Sequence, residues 1–521
     1  HTNTTTAGSF TCRLINGASN NTFRFVNFVN GTFTIAGGVN VQLSTSAATS
    51  GNSNDSIYNC EINGGRAALQ VAGTLANAMT NIYVANNLIT NWSLQGATFS
   101  AVRNLTLLNN TINQLTTAPL NVAPQGLFLT INADAAVWNV QRNKIERFRV
   151  FGTTTALNVF GVIVSPAVAA PTTIPILNFI NNIISITDTA TSTANRIVGI
   201  QYQGTTNPLV FNAHHNTIRI SGNQLVSANG NPTSIGFYKS NTSTLGNMNF
   251  RNNLISNTRT GTANQHIAIW NASPTSGINT MDYNTYWAAS LFKVAWIGTF
   301  YDVTTSYRLA ANPQEQHSII AQPFFANATT IDLATTGNSP SNFIGTPIAT
   351  VTTDYYDNPR STTIPYRGAI EGPAIVNFKD AKVVEVYTFG KLPIPYAVPH
   401  QVRANISNDG IDTLFNQWVI LNVSGANTFS DSMQIAMIPP GGNANVTLPA
   451  FNPTNTGINN ITISVPPDST NVNNTKSFTQ LVTNNSYAYA ETTKPAIGGV
   501  GFNGVSGDFI AKYPLAGSNS I

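Results

Sequence analysis

The sequence predicts an all-β chain: a solenoid of stacked coils followed by a sandwich of antiparallel strands. Three observations predict it. A short motif, apolar-x-apolar-x-x-Asn-x-Ile, recurs through roughly the first 290 residues. Each copy alternates with period two, the mark of a strand rather than a helix. From about residue 378 the repeat gives way to short alternating strands separated by turns.

The motif reads Ile82-x-Val84-x-x-Asn87-x-Ile89, Leu105-x-Leu107-x-x-Asn110-x-Ile112 and Trp138-x-Val140-x-x-Asn143-x-Ile145. It continues as Leu177-x-Phe179-x-x-Asn182-x-Ile184, Phe211-x-Ala213-x-x-Asn216-x-Ile218 and Met248-x-Phe250-x-x-Asn253-x-Ile255, and ends at Met281-x-x-Asn284-x-Tyr286. Ile57-x-x-Cys60-x-Ile62 and Asn27-x-Val29 fit more loosely. Self-similarity at a period of tens of residues is the signature of a solenoid. Spacings between the Asn positions are 23, 33, 39, 34, 37 and 31. A coil of 23 residues accommodates three short strands and three turns, and the longer coils carry loop insertions. The Asn slot lies where one strand ends and the next begins. Asn tolerates a left-handed backbone and bonds local backbone groups. Stacked coil on coil, Asn87, Asn110, Asn143, Asn182, Asn216, Asn253 and Asn284 are expected to form a structural ladder of mutually bonded amides.

On these copies the chain resembles the right-handed parallel β-helix superfamily over roughly residues 10–370; the handedness is implied by the resemblance alone. Residues 291–371 read as the closing segment of a β-helix unit spanning 1–371. Asp354-x-x-Asp357-Asn358-Pro-Arg360 and Arg367-Gly-Ala-Ile-Glu371 resemble the terminal cassette of secreted β-helix proteins, with Asn358 in place of the usual Gly and Tyr366-Arg367 in place of Asp-Ile.

A Pro-rich stretch, 372–399, reads as a joint that also carries the first sandwich strand. Over 378–483, runs such as Val383-Val-Glu-Val-Tyr387, Gln417-Trp-Val-Ile-Leu-Asn-Val423 and Asn460-Ile-Thr-Ile-Ser-Val465 alternate with turns at Asn408-Asp-Gly410 and Pro440-Gly-Gly442. That pattern argues a β-sandwich. Asn405-Ile-Ser-Asn-Asp-Gly410, Ile438-Pro-Pro-Gly-Gly442 and the stretch from Val465-Pro-Pro-Asp468 to Asn474 resemble a CARDB-like, immunoglobulin-type module, which implies an adhesion-related spacer. Asp468 and the Asn-rich stretch after it read as a solvated hairpin, with a weak cation site as the alternative. Residues 484–521 read as the incomplete start of a further β-domain. Within them, Gly498 to Lys512 resembles the opening of such a domain in giant surface proteins exported by the type IX system, which implies self-association or a longer natural chain.

Only 8% of residues are charged, against roughly 25% in an average soluble domain. Asn, Thr, Ser and Gly fill the surface, a secreted or cell-surface composition. The net charge of +4 is spread over scattered basic residues, which argues against a nucleic-acid partner. No apolar run reaches the roughly 18–20 residues of a membrane span. Cys12 and Cys60 admit two readings, a disulfide stapling the first coils or two buried thiols.

Glycoside hydrolysis needs two carboxylates about 5–10 Å apart. Residues 1–290 hold six acidic residues, Asp55, Glu61, Asp134, Glu146, Asp188 and Asp282, and none has an acidic partner at the equivalent slot of the next coil. Two positions before the Asn slot, successive coils present His214, Arg251 and Asp282. That row is expected to face outward, either as a small catalytic or carbohydrate-contacting cluster or as an exposed Arg251–Asp282 ion pair beside a histidine, worth roughly 0–1 kcal/mol. Arg142, Lys144, Arg147 and Arg149 form a basic patch suited to solvent or acidic glycans. No metal set, phosphate loop or dinucleotide fingerprint occurs, so neither metal nor cofactor is expected. Asp-Ser/Thr-apolar triplets place candidate O-glycosylation at Ser56, Thr189, Thr413 and Ser432, by resemblance to the sequon of type IX-secreting bacteria.

The expected function is therefore that of a non-enzymatic, exported adhesin or structural surface protein of a type IX-secreting bacterium, with surface glycans or the secretion machinery as partners. A β-helix polysaccharide lyase or hydrolase and a self-assembling filament subunit are the alternatives.

Overall fold

The structure, a computed structural model, describes residues 2–3, 10–31, 38–45, 50–114, 123–146, 158–188, 196–203, 206–223, 234–241, 247–261, 265–273, 277–326, 342–372, 379–394, 396–410 and 412–491. It divides into two compact units, one comprising His1–Asn338 with Asn342–Ala374, the other Ile375–Ile521 with Ser339–Ser341.

In the first unit each coil contributes one strand to each of three sheets, which hold eleven, nine and eleven strands among the described residues. The coil-to-coil strand pairings among the described residues are parallel, and a hairpin of Val294–Trp296 with Thr299–Tyr301 adds an antiparallel pair. This is the parallel β-helix that the period-two repeat predicts. The two apolar residues of each copy face inward on the nine-stranded sheet. Leu105, Trp138, Leu177, Phe211 and Met248 stack in register, and so do Leu107, Val140, Phe179, Ala213 and Phe250. The isoleucine of each copy stacks on the next sheet as Ile89, Ile112, Ile145, Ile184, Ile218 and Ile255, all fully buried. Burying one such side chain contributes about 1.5–3 kcal/mol, so each coil adds its own layer of core.

The left-handed backbone falls one residue before the ladder asparagines. Asn86, Asn109, Arg142, Asn181, His215, Asn252 and Tyr283 have φ between 53° and 59°. The sharp turn is made there, and the next side chain is thereby aimed into the stack. Another corner carries its own left-handed row, Asn20, Asn54 and Asn81, whose exposed amides join as a ladder continued by Asn104. On the third sheet the isoleucine row presses against backbone. A Cβ at Gly199 would lie 2.5 Å from Ile218 Cγ2 and 2.4 Å from the Gly236 carbonyl oxygen.

The last coil is plugged by a helix, Thr304–Ala311, which buries Tyr307 and Ala311 against the core. Ile319–Ile320 then extends the sheet that carries the isoleucine row. From Asn342 the closing segment returns along the left-handed row. Asn252 exchanges bonds with Thr346, His215 with the Tyr366 carbonyl, and Asn181 with the Thr353 carbonyl and Arg360. The departures from the usual cassette have structural work: the Asn358 N–H bonds the Asp354 carboxylate, and the Arg367 guanidinium bonds the carbonyls of Asn284, His317 and Ile344.

The second unit is a sandwich. Ala381–Tyr387, Arg403–Asn408 and Asn443–Thr447 form an antiparallel three-stranded sheet. Lys391–Pro393, Thr475–Thr483, Gly457–Ser464, Leu414–Gly425 and Phe429–Ile438 form the second, in that order. Val383, Ile406, Val419, Leu421, Ile461 and Ile463 are in the core between them. Within the Pro-rich stretch, Lys391–Pro393 pairs in parallel with Thr475–Thr483, and Leu392 is fully buried. The Lys391–Pro393 strand lies at the edge of its sheet, where the N–H that Pro393 lacks is tolerated.

Candidate functional site

The outward row of the nine-stranded sheet runs Gln141, Ile180, His214, Arg251, Asp282, each the register partner of the next. Neighbouring strands lie about 4.8 Å apart, so His214 and Asp282, two rungs apart, are separated by roughly 10 Å. Two residues earlier on each strand stand Asn139, Asn178, Asn212 and Asn249, whose amides form an outward ladder. Asn178 donates to Asn139 at 2.9 Å, Asn212 to Asn178 at 2.9 Å and Asn249 to Asn212 at 2.8 Å. A register shift between Met248 and Asn249 brings Asn279 in as the last rung, at 2.8 Å. This row is legible in the repeat, where Asn fills the slot between the two apolar residues in four successive copies, yet the inner ladder alone stands out from motif spacing.

Ile348 of the closing segment packs on Ile180, and Ile348 and Thr350 wall one side of the groove. The result is a cavity of about 290 Å3 bounded by the Asn178, Asn212 and Asn249 amides, His214 and Arg251. The expected exposure of the row is thus corrected: His214 is only 4% exposed, because the returning segment covers it. Burial, aided by the charge of Arg251, holds its imidazole neutral by lowering its pKa to about 3. Its Nδ1 makes no hydrogen bond, nor does the Arg251 Nε. The guanidinium's pKa is lowered by burial, with Asp282 opposing.

Asp282 faces a different partner from the one expected. Its carboxylate accepts the His317 N–H at 2.6 Å and contacts the His317 ring at 2.7 Å, and that ring stacks on Tyr283. The row therefore gives a neutral imidazole and a guanidinium to one cavity and leaves the carboxylate to a separate contact. The neighbouring His215 is structural. Asn252 Nδ2 donates to its Nε2, so its Nδ1 carries the proton and donates to the Tyr366 carbonyl. Burial, then the charges of Arg360 and His214, hold its pKa well below the ordinary value.

The inner ladder runs from Cys60 to Ser318. Each Oδ1 accepts both the backbone N–H and the side-chain N–H of the preceding ladder residue, at 2.9–3.1 Å from Asn110 to Asn284. Each Nδ2 also reaches a strand carbonyl of the previous coil, as Asn182 does to Val140. The Cys60 N–H enters the ladder at one end, and the Ser318 hydroxyl receives the Asn284 N–H at the other.

Cys12 and Cys60 are both free thiols, so the disulfide reading is corrected. Cys12 stacks on Val41 within one sheet, whereas Cys60 sits at the ladder corner with its thiol on the Tyr58 carbonyl. In the basic patch Arg142 pairs with Asp357 and Lys144 with Glu146, while Arg147 and Arg149 lie outside the described residues. Asp55 is buried and accepts the Asn21 N–H and amide. Asp134 accepts Thr172 and Thr173, which lowers its pKa. The Asp468 carboxylate accepts the N–H groups of Ala381 and Thr470. No cluster of metal-ligating side chains occurs among the described residues. Ser56, Thr413 and Ser432 are half-buried; Thr189 and the stretch from Gly498 to Lys512 lie outside the described residues. No helix among the described residues is long and apolar enough to cross a membrane.

No protein-family model matches the chain, and no curated protein or solved structure matches it.

Proposed function

We propose that this chain is a non-catalytic extracellular protein, an adhesin or structural element displayed at the surface of a type IX-secreting bacterium. The observation that carries this reading is the outward amide ladder beside Arg251. Amides neither gain nor lose protons near neutral pH, so such a surface holds polar ligands without performing acid–base chemistry. The charge-poor composition, the CARDB-like phrases and the half-buried Ser56, Thr413 and Ser432 within sequon-like triplets support export and O-glycosylation. The test incubates the full chain with pectin, alginate and other acidic glycans, with and without calcium. No reducing ends or unsaturated products are expected. Turnover that disappears on Arg251→Gln or Asp282→Asn would establish a lyase or hydrolase instead.

One observation favours a second reading, a filament subunit. Phe429–Ile438 is a ten-residue strand at the edge of its sheet, with exposed Met433 and Met437 and, on the adjoining strand, exposed Phe415 and Trp418. Its sequence has neither Lys nor Pro, the residues that commonly blunt such edges. Electron microscopy of the native material separates fibres from single molecules.

A further inference from the structure

The groove on the nine-stranded sheet has the chemistry of a specific site. We propose that it binds a carboxylate-bearing sugar unit of an acidic glycan, the Arg251 guanidinium pairing with the carboxylate and the Asn178–Asn212–Asn249 amides with the hydroxyls. The inference deepens the adhesin reading and rests on it for the absence of cleavage.

Four features of the groove select this ligand. Its volume, about 290 Å3, is at the lower end of the roughly 300–1,000 Å3 typical of small-molecule sites, room for about one sugar ring. Arg251 brings a planar fork of donors that matches a carboxylate, and no ion pair occupies it among the described residues, since Asp282 is turned to His317. Each ladder amide spends one N–H on its neighbour's Oδ1, leaving a second N–H for hydroxyls. His214, almost wholly buried yet lining the cavity, has no hydrogen bond at Nδ1, an unmet polar group of the kind a ligand satisfies.

The composition of the wall also says what the site is not built for. Among the described residues no Phe, Tyr or Trp ring lines it; Ile180 and Ile348 supply its apolar surface. Recognition there depends on charge and hydrogen bonds rather than on stacking, which favours an acidic sugar over a neutral one. Successive rungs are spaced by the strand repeat of about 4.8 Å, so the amide row lets a chain of sugars extend along the solenoid from the unit held at Arg251.

The experiment uses the full chain and oligomers of galacturonate and glucuronate, with their methyl esters as neutral counterparts, read by calorimetry. The free acids should bind, more weakly as salt rises, and the esters should lose most of the affinity. Arg251→Gln should weaken binding about tenfold or more, Arg251→Lys should restore part of it, and Thr350→Trp, which fills the cavity from the closing segment, should abolish it. Circular dichroism and melting temperature check that each variant is folded. Equal binding of acid and ester, unchanged binding by Arg251→Gln, or no binding by the folded wild-type chain would each overturn the site. Cleavage of bound oligomers would overturn the non-catalytic reading and leave the site standing.

Discussion

The same corner of the β-helix is two different structures along its length. In the early coils the left-handed row, Asn59, Asn86 and Asn109, is exposed to solvent. In the later coils the equivalent Asn181, His215 and Asn252 are buried beneath the closing segment, and each bonds to it. The backbone is the same in both halves, and so is the inner ladder behind it. A repeat that only turns the chain in one half serves as a docking rail in the other, and the difference lies in what covers it. The covered half is also where His214 becomes buried and the groove acquires its second wall.

The sharpest way to break this comparison is to remove the closing segment's anchor. Arg360 is 6% exposed and bonds Asn181 Oδ1, Glu371 and the carbonyls of Tyr366, Gly368 and Ala369. Arg360→Ala removes the cation from the half-buried Glu371 and the donor from the buried Asn181 Oδ1, at about 3–5 kcal/mol. Chemical denaturation should show that loss, and hydrogen exchange should rise along 181–252 but not along 59–110. A uniform rise would mean the two halves are not independent.

The inner ladder should respond alike in both halves. Asn182→Leu and Asn110→Leu each strand neighbouring N–H groups and a strand carbonyl, costing about 1–3 kcal/mol. Unchanged melting temperatures would remove the ladder from the account of stability, and a cost confined to Asn182 would make it a property of the covered half.

The capped end adds a pH dependence of its own. Glu315 is fully buried with its carboxyl bonded by the Tyr286 hydroxyl at 2.6 Å, and burial lifts its pKa to about 7. The folded chain therefore keeps a proton that the unfolded chain releases near 4.5. Its stabilising contribution is complete below that value and is lost as pH rises towards 7. Glu315→Gln should raise the melting temperature more at pH 8 than at pH 5; an equal shift at both would refute this assignment. His214 and His215 act oppositely. Their lowered pKa values mean that the unfolded chain takes up protons first, so stability should fall as pH drops below about 6.5.

The smallest expected effect sharpens the comparison most directly. Asn86→Gly keeps a left-handed backbone accessible and loses an exposed side chain, so melting should change by only a few tenths of a kcal/mol. Asn252→Gly at the equivalent position also loses bonds to His215 and to both backbone groups of Thr346, so it should cost about 1–3 kcal/mol. Equal costs in thermal denaturation would show that the closing segment does not use the rail.

What the sequence by itself determined about this protein is what depends on local period and on stacking identical slots. Strand alternation, the coil repeat, the inward isoleucines and the amide positions follow from spacing alone, since a side chain's face is set by period two and its neighbour by the coil above. The outer row of asparagines belonged to the same class and could have been read from its slot. Tertiary structure alone decided where the closing segment lies, because its contacts to Asn181, His215 and Asn252 span 94 to 179 residues of chain. It alone decided that Asp282 turns to His317 rather than to Arg251, that Cys12 and Cys60 remain apart, and that Pro393 enters a sheet. Each of these depends on which distant segment arrives to bury a group, and burial, unlike period, leaves no mark on the residues nearby.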